Sequence, residues 1–189
     1  MNNKQKRFLN NTKILKFLLI TPFLVSIPFS INKAVNAGLE FQWDQDSGYR
    51  RLKWFQKDSV RRSRNTFFFF LRPSDRKAEL IKLTMKIPKN FKSALKEEKL
   101  SLCQVRIGDF TTRTKCIEDI PADIEINEEK TSFDIFPYSP IPRNKKSYAI
   151  VFKLFNPNKS GLNQFHSYGQ YLGDNPISSY LGSWTIMID

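Results

Sequence analysis

One histidine, two cysteines and a few adjacent carboxylates are the residues of this 189-residue chain that could do chemistry. His166 would be the natural general base, because imidazole titrates near neutrality. It stands in a strand-like stretch, 163–170, with no acidic neighbour in sequence to orient it. A Ser-His-Asp site also needs a nucleophile on a sharp turn, and the chain has no GxSxG segment. A solitary histidine on a strand reads as a packing or hydrogen-bonding residue. Paired carboxylates can hydrolyse a glycosidic bond without histidine. Glu97-Glu98, Glu118-Asp119 and Glu128-Glu129 all sit beside turn or linker signals, where solvated charge explains them. Asp44 and Asp46 could join a calcium site, but the ligand run and glycine of an EF-hand are missing, as is a phosphate-cradling loop. These residues point to no enzyme, no metal and no cofactor.

Cys103 and Cys116 lie 13 residues apart, without CxxC spacing and with no histidine nearby. Stretches 100–107 and 111–117 both read as strands, and Gly108-Asp109 is a turn signal between them. A two-residue turn at Asp109-Phe110 sets Cys103 directly opposite Cys116, close enough for a disulfide. Such a bridge stabilises by about 3 kcal/mol in the chain-entropy model.

A different chemistry is suggested between Trp43 and Arg64, where rings and cations interleave. Trp43, Tyr49, Arg50, Arg51, Trp54, Arg61, Arg62 and Arg64 could form one face that meets an anionic ligand by charge attraction and stacking. The competing reading packs the rings on the body and leaves the basic heads in water.

The elements that must position these residues are mostly strands. Ile81, Leu83, Met85 and Ile87 alternate with Lys82, Thr84 and Lys86. Phe133 and Ile135, then Tyr148, Ile150, Phe152 and Leu154, then Trp184, Ile186 and Ile188 repeat that period. Phe67 to Leu71 is apolar on both faces and reads as a central strand; Arg61, Arg62, Arg64 and Arg72 flank it as gatekeepers against aggregation. The segment 156–161 reads as a hairpin loop, and 90–99 as the one short helix, capped by Asn90 with Phe91 and Leu95 on one face. Seven or eight short strands predict an all-β fold, an antiparallel β-sandwich of immunoglobulin-like type, with a Greek-key barrel as the alternative.

The amino terminus reads as an address. Lys4, Lys6, Arg7, Lys13 and Lys16 precede an apolar run from Phe17 to Ile31, and Val35-Asn36-Ala37 offers a signal-peptidase site. The run is about 15 residues, short of the roughly 18–20 that span a bilayer, and Pro22 and Pro28 interrupt it. The expected organisation is a signal peptide over 1–37, a basic and aromatic segment over 38–65, and a sandwich domain over 66–189. For 38–65 a helix, an extra edge strand and a loose arm all remain open. Cleavage leaves 152 residues, enough for one core. It also removes six of the 31 basic residues, so against 18 acidic ones the net charge falls from +13 to +7.

Several motifs together resemble a family of secreted cyanobacterial domains of unknown function. They are Gly38-Leu39-Glu40-Phe41, Gly48-Tyr49-Arg50-Arg51-Leu52, the run from Arg64 through Lys77, Leu100-Ser101-Leu102-Cys103, Pro140-Ile141-Pro142, Asn156-Pro157 and Tyr180-Leu181-Gly182-Ser183-Trp184. The resemblance implies export and a β-rich body, and it carries over no catalytic residue. The resulting expectation is an exported, non-enzymatic module of the periplasm or cell surface that binds an anionic envelope polymer. The alternative is an assembly subunit packing with envelope proteins through Phe110, Phe136, Tyr138 and Tyr171. Export disfavours nucleic acid, and no membrane span remains after cleavage.

Overall fold

The computed structural model describes residues 48–173 and 177–189. The expected signal peptide and its cleavage site, Trp43, Asp44 and Asp46 lie outside these residues.

Among the described residues ten strands form two five-stranded antiparallel sheets packed face to face. They are β1 (Trp54–Gln56), β2 (Arg64–Leu71), β3 (Leu80–Lys86), β4 (Leu100–Arg106), β5 (Lys115–Ile120), β6 (Ala122–Ile126), β7 (Ser132–Pro137), β8 (Ser147–Phe155), β9 (Gly161–Tyr171) and β10 (Ser178–Ile188). The first sheet runs β1-β2-β8-β4-β5 and the second β10-β9-β3-β7-β6. This is the antiparallel sandwich, and the sheets do not close into a barrel.

Alternation sends one side of each strand into the core. Phe67, Phe69 and Leu71 of β2 face inward with Ile150, Phe152 and Leu154 of β8. Phe69 sits at the centre, with ring centroids 4.8 Å from Phe152, 4.8 Å from Phe165 and 5.2 Å from Trp184. The Trp184 indole N–H donates to the Lys53 carbonyl at 3.0 Å, so the one polar atom of that ring is satisfied. The other side of β2 and β8 is buried as well. Phe68, Phe70, Ala149 and Val151 join Cys103 and Val105 in a second apolar cluster on the outer face of the first sheet. That is why the Phe run shows no alternation in sequence.

The described part of the 38–65 segment belongs to this body. Leu52 N–H donates to Ser183 O and Ser183 N–H to Arg50 O, attaching residues 50–52 to the second sheet beside β10. Two residues later β1 pairs with β2, so the chain has switched to the first sheet. Gly182 allows the close approach of residues 50–52 to β10: its φ is +147°, and a Cβ there would lie 2.7 Å from Arg50 O. Within the described part of this segment, Trp54–Gln56 form an edge strand and no α-helix is present.

Three local expectations need correction. Segment 156–160 joins β8 to β9 across the two sheets and is no hairpin loop. No α-helix forms over 90–99; two 3-10 turns do, Lys89–Ala94 and Glu97–Lys99. Ten residues hold a helix only weakly, and burying Phe91 and Leu95 at the open end of the sandwich takes precedence. Asn90 donates to Asn163 Oδ1 at 3.2 Å instead of capping. Finally, Cys103 does not face Cys116. β4 and β5 are joined by a longer loop, 107–114, so Cys103 pairs with Asp119 and Cys116 with Val105. A bulge between Gln104 and Val105 shortens the diagonal to a Cα separation of 5.7 Å, and the Cys103–Cys116 disulfide forms there.

Candidate functional site

The outer face of the first sheet changes character along its length. At the far end of β2 from the Phe cluster, outward positions carry Arg64 and Thr66, paired in register with Phe155 and Lys153 of β8. The 3-10 turns bring Ala94, Lys96 and Lys99 to the opposite wall. Between them lies a groove of about 520 Å³. A second depression of about 490 Å³ shares Ala94 and Phe155 with it and adds Arg62 and Lys159. The two form one trough around Phe155, whose ring is 56% exposed and has the Arg64 guanidinium 5.8 Å from its centroid. Among the described residues lining it there is no Asp or Glu. Glu98 approaches Lys96 from outside at 3.9 Å, an exposed pair that offsets little of the charge.

One wall of the trough is rigidly built. Buried Asn65 accepts at Oδ1 from Lys57 N–H and Asp58 N–H, both at 3.1 Å, and donates to Asn156 Oδ1 at 2.9 Å. Asn156 in turn donates to Val60 O at 2.7 Å and Ser63 Oγ at 3.2 Å. The loop tip is tied to the carboxyl end of the chain: Asp189 N–H donates to Ser59 O at 2.9 Å, and Arg61 N–H to Asp189 O at 3.2 Å. Asp58 accepts from Val60 N–H at 2.9 Å, and this bond first, with Ser63 second, holds its carboxyl below the ordinary range. Arg62 is held at φ 59°, a left-handed backbone that non-glycine residues adopt at a cost, with its N–H donating to Pro157 O. The backbone that carries Arg62 and Arg64 is fixed by these bonds.

The interleaved residues of the sequence do not converge on this trough as one group. Arg62 and Arg64 line it, and Arg61 is exposed on the adjoining loop. Tyr49 lies over the second sheet, its hydroxyl accepting from Gln164 Nε2 at 3.2 Å. Arg50 pairs with fully buried Asp75 at 3.2 Å, the carboxylate that Arg72 also holds at 3.0 Å. Arg51 and half-buried Trp54 border a separate hollow with Arg72. Lys96, Lys99, Lys153, Lys159 and Phe155 were not foreseen as site residues. Lys153 was readable as the outward position of β8, but the pairing that sets it beside Thr66 is not.

His166 lies on the outer face of the second sheet with Nδ1 2.8 Å from Ser183 Oγ, which is also 2.5 Å from the Tyr180 hydroxyl. Burial, and then Lys86, lowers its pKa below the ordinary value. Ser183 is fully buried, and His166 is partly exposed. The acidic pairs at 97–98, 118–119 and 128–129 are all exposed. Among the described residues no three His, Cys, Asp or Glu side chains gather as metal ligands, and no helix is long and apolar enough to cross a membrane.

The model of a protein family described as "Protein of unknown function (DUF2808)" matches residues 45–188. The chain belongs to that family. Comparison with curated proteins finds no significant match. Similar solved structures include BslA, a bacterial hydrophobin, at 9% identity and TM-score 0.45, covering 75% of this chain and 95% of that one. The collagen-binding domain of a Staphylococcus aureus adhesin is similar at 10% identity and TM-score 0.39, covering 71% and 95%. The collagen-binding subdomain of the Enterococcus faecalis surface protein ACE gives the same four values. At these scores the likeness carries nothing about ligand or activity.

Proposed function

We propose that this family member is exported, as in the cyanobacterial domains it resembles, and that it acts without catalysis as a binding module for an anionic polymer of the cell envelope. The observation that carries this reading is the trough: Arg62, Arg64, Lys96, Lys99, Lys153 and Lys159 around one exposed ring, with no carboxylate among the described lining. Cations held on a framework attract a polyanion over several ångströms, and a ring beside them offers a stacking surface to a sugar. The leader in the sequence supports export, and so does the Cys103–Cys116 bridge, since disulfides persist in oxidising compartments. His166 and Ser183, the one His–Ser contact, are a structural pair in this reading.

The experiment is retention of the protein on envelope fractions across a salt series. Screening shortens from about 10 Å at 0.1 M to about 3 Å at 1 M, so release is expected over that interval. Retention indifferent to salt, or none, overturns the reading. Protein recovered from the envelope with Met1 still attached overturns export. An assembly subunit is the second reading. Tyr138 and Phe110 are exposed as it requires, but Phe136 is half-buried beneath Lys82 and Tyr171 packs against the core. Sedimentation at high concentration tests it, a monomer counting against it.

A further inference from the structure

Phe110 is fully exposed at the tip of the 107–114 loop, and the loop is built to hold it there. Asp109 Oδ1 accepts from Thr111 N–H, Thr111 Oγ1 and Thr112 N–H, each at 2.8 Å, and from Thr112 Oγ1 at 3.1 Å. Asp109 N–H donates to Thr112 O at 3.0 Å, and Gly108 N–H to Thr114 Oγ1 at 3.0 Å. The turn is closed so tightly at Gly108 that a Cβ there would lie 2.5 Å from Thr112 O. The disulfide ties the base of the loop to β4. A large ring in water on a rigid support is not explained by fraying.

Its surroundings say what it meets. The loop shares a depression of about 880 Å³ with Phe55 and Lys57 of the opposite edge region of the first sheet, and Arg113 and Lys115 line the same hollow. Ile107 and Ile117 are exposed close by in sequence. Three cations thus border an apolar patch, while the one carboxylate of the tip is engaged within its own turn. The side chains of Asp109, Thr111, Thr112 and Thr114 are bonded within the turn, which leaves few of them to pair with a protein partner. Polar side chains that are already paired lower the cost of bringing the tip to a lipid interface.

We infer that the 107–114 loop is a docking tip for an anionic lipid surface, with Phe110 entering the acyl boundary and Lys57, Arg113 and Lys115 at the headgroups. This is the arrangement of interfacial anchors, an apolar insertion flanked by basic residues. The tip and the trough are neighbours at Lys57, whose N–H donates to Asn65 Oδ1 of the trough wall at 3.1 Å, but Phe110 and Lys99 are far apart. Lys99 immediately precedes β4 and the loop follows it, so the two lie at opposite ends of a strand of about 23 Å.

The test uses the full chain with vesicles of phosphatidylglycerol or of phosphatidylcholine. Phe110→Trp reports the tip itself, whatever other segment touches lipid. Its emission, less that of the unsubstituted chain, is expected to shift to the blue on phosphatidylglycerol. Phe110→Ser is expected to lower partition onto those vesicles about tenfold, the scale of losing one aromatic anchor. Arg113→Glu with Lys115→Glu is expected to abolish the preference for phosphatidylglycerol over phosphatidylcholine. An unchanged thermal midpoint of Phe110→Ser shows that folding is intact. Lys99→Glu with Lys153→Glu should leave the blue shift in place, which separates this inference from polymer binding in the trough. Unshifted Phe110→Trp emission overturns the inference, as does equal partition of Phe110→Ser. A loss of dimer in sedimentation by Phe110→Ser, without loss of vesicle binding, assigns the tip to a second copy and also overturns it.

Discussion

Asp75 shows how one residue can be indispensable here without doing chemistry. It is fully buried where the chain leaves β2 for the other sheet, and it accepts from Arg72 N–H at 2.8 Å, Arg72 Nε at 3.0 Å and Arg50 Nη2 at 3.2 Å. Its neighbour Arg76 is buried as well, donating to the carbonyls of Leu71 and Lys146 with its guanidinium 4.7 Å from the Tyr148 ring. Asp75→Ala leaves both arginines facing an empty acceptor site. We expect a loss of about 2–4 kcal/mol in a urea titration, below the fully buried range because the arginines are a third exposed. Asp109 carries a prediction in pH. Its four hydrogen bonds, led by the Thr111 backbone, hold its pKa at about 2 against 3.8 in an unfolded chain. The folded state thus favours the ionised form. The contribution is complete above pH 3.8 and lost as pH falls toward 2. Acid melts of Asp109→Asn, which cannot ionise, should lack that part of the slope. An identical acid profile for both proteins would refute it.

At the level of elements, the β4–β5 hairpin is where stability and a candidate site meet. Its two cysteines close a loop of sequence separation 13. Reduction, or Cys103→Ala with Cys116→Ala, is expected to lower stability by about 2–3 kcal/mol, measured by denaturant unfolding with and without reductant. The pairing was readable from an even cysteine count between two strand-like stretches. The register was not, because the eight residues 107–114 and the bulge beside Val105 leave no mark in hydrophobic period. The same holds for segment 156–160, which has the composition of a hairpin and the geometry of a crossover. Turn residues report that a chain reverses, and packing alone says which sheet it enters next.

For the whole molecule the question is where charge collects. Net positive charge was evident in the sequence, and six of the 31 basic residues lie within residues 1–37. The remainder is concentrated in part by β2 pairing with β8, which sets Arg64 by Phe155 and Thr66 by Lys153. Reversing two lysines of this trough, Lys99→Glu with Lys153→Glu, should weaken retention on an anionic polymer by about 1–2 kcal/mol, near tenfold. The thermal midpoint should hold or rise slightly, since like-charge repulsion is relieved. Unaltered retention would move the binding surface elsewhere.

The alternation of apolar residues pointed to strands and to a sandwich or a barrel, and the cysteine count to one bridge, because side-chain period and cysteine count are local properties of a chain. Arg62 and Arg64 were visible as cations for the same reason. That Lys96, Lys99 and Lys153 would join them, while Arg50 was drawn away to Asp75, followed from pairings between segments far apart in sequence. Those pairings arise when two sheets bury their inner faces against each other, and no local pattern encodes their outcome.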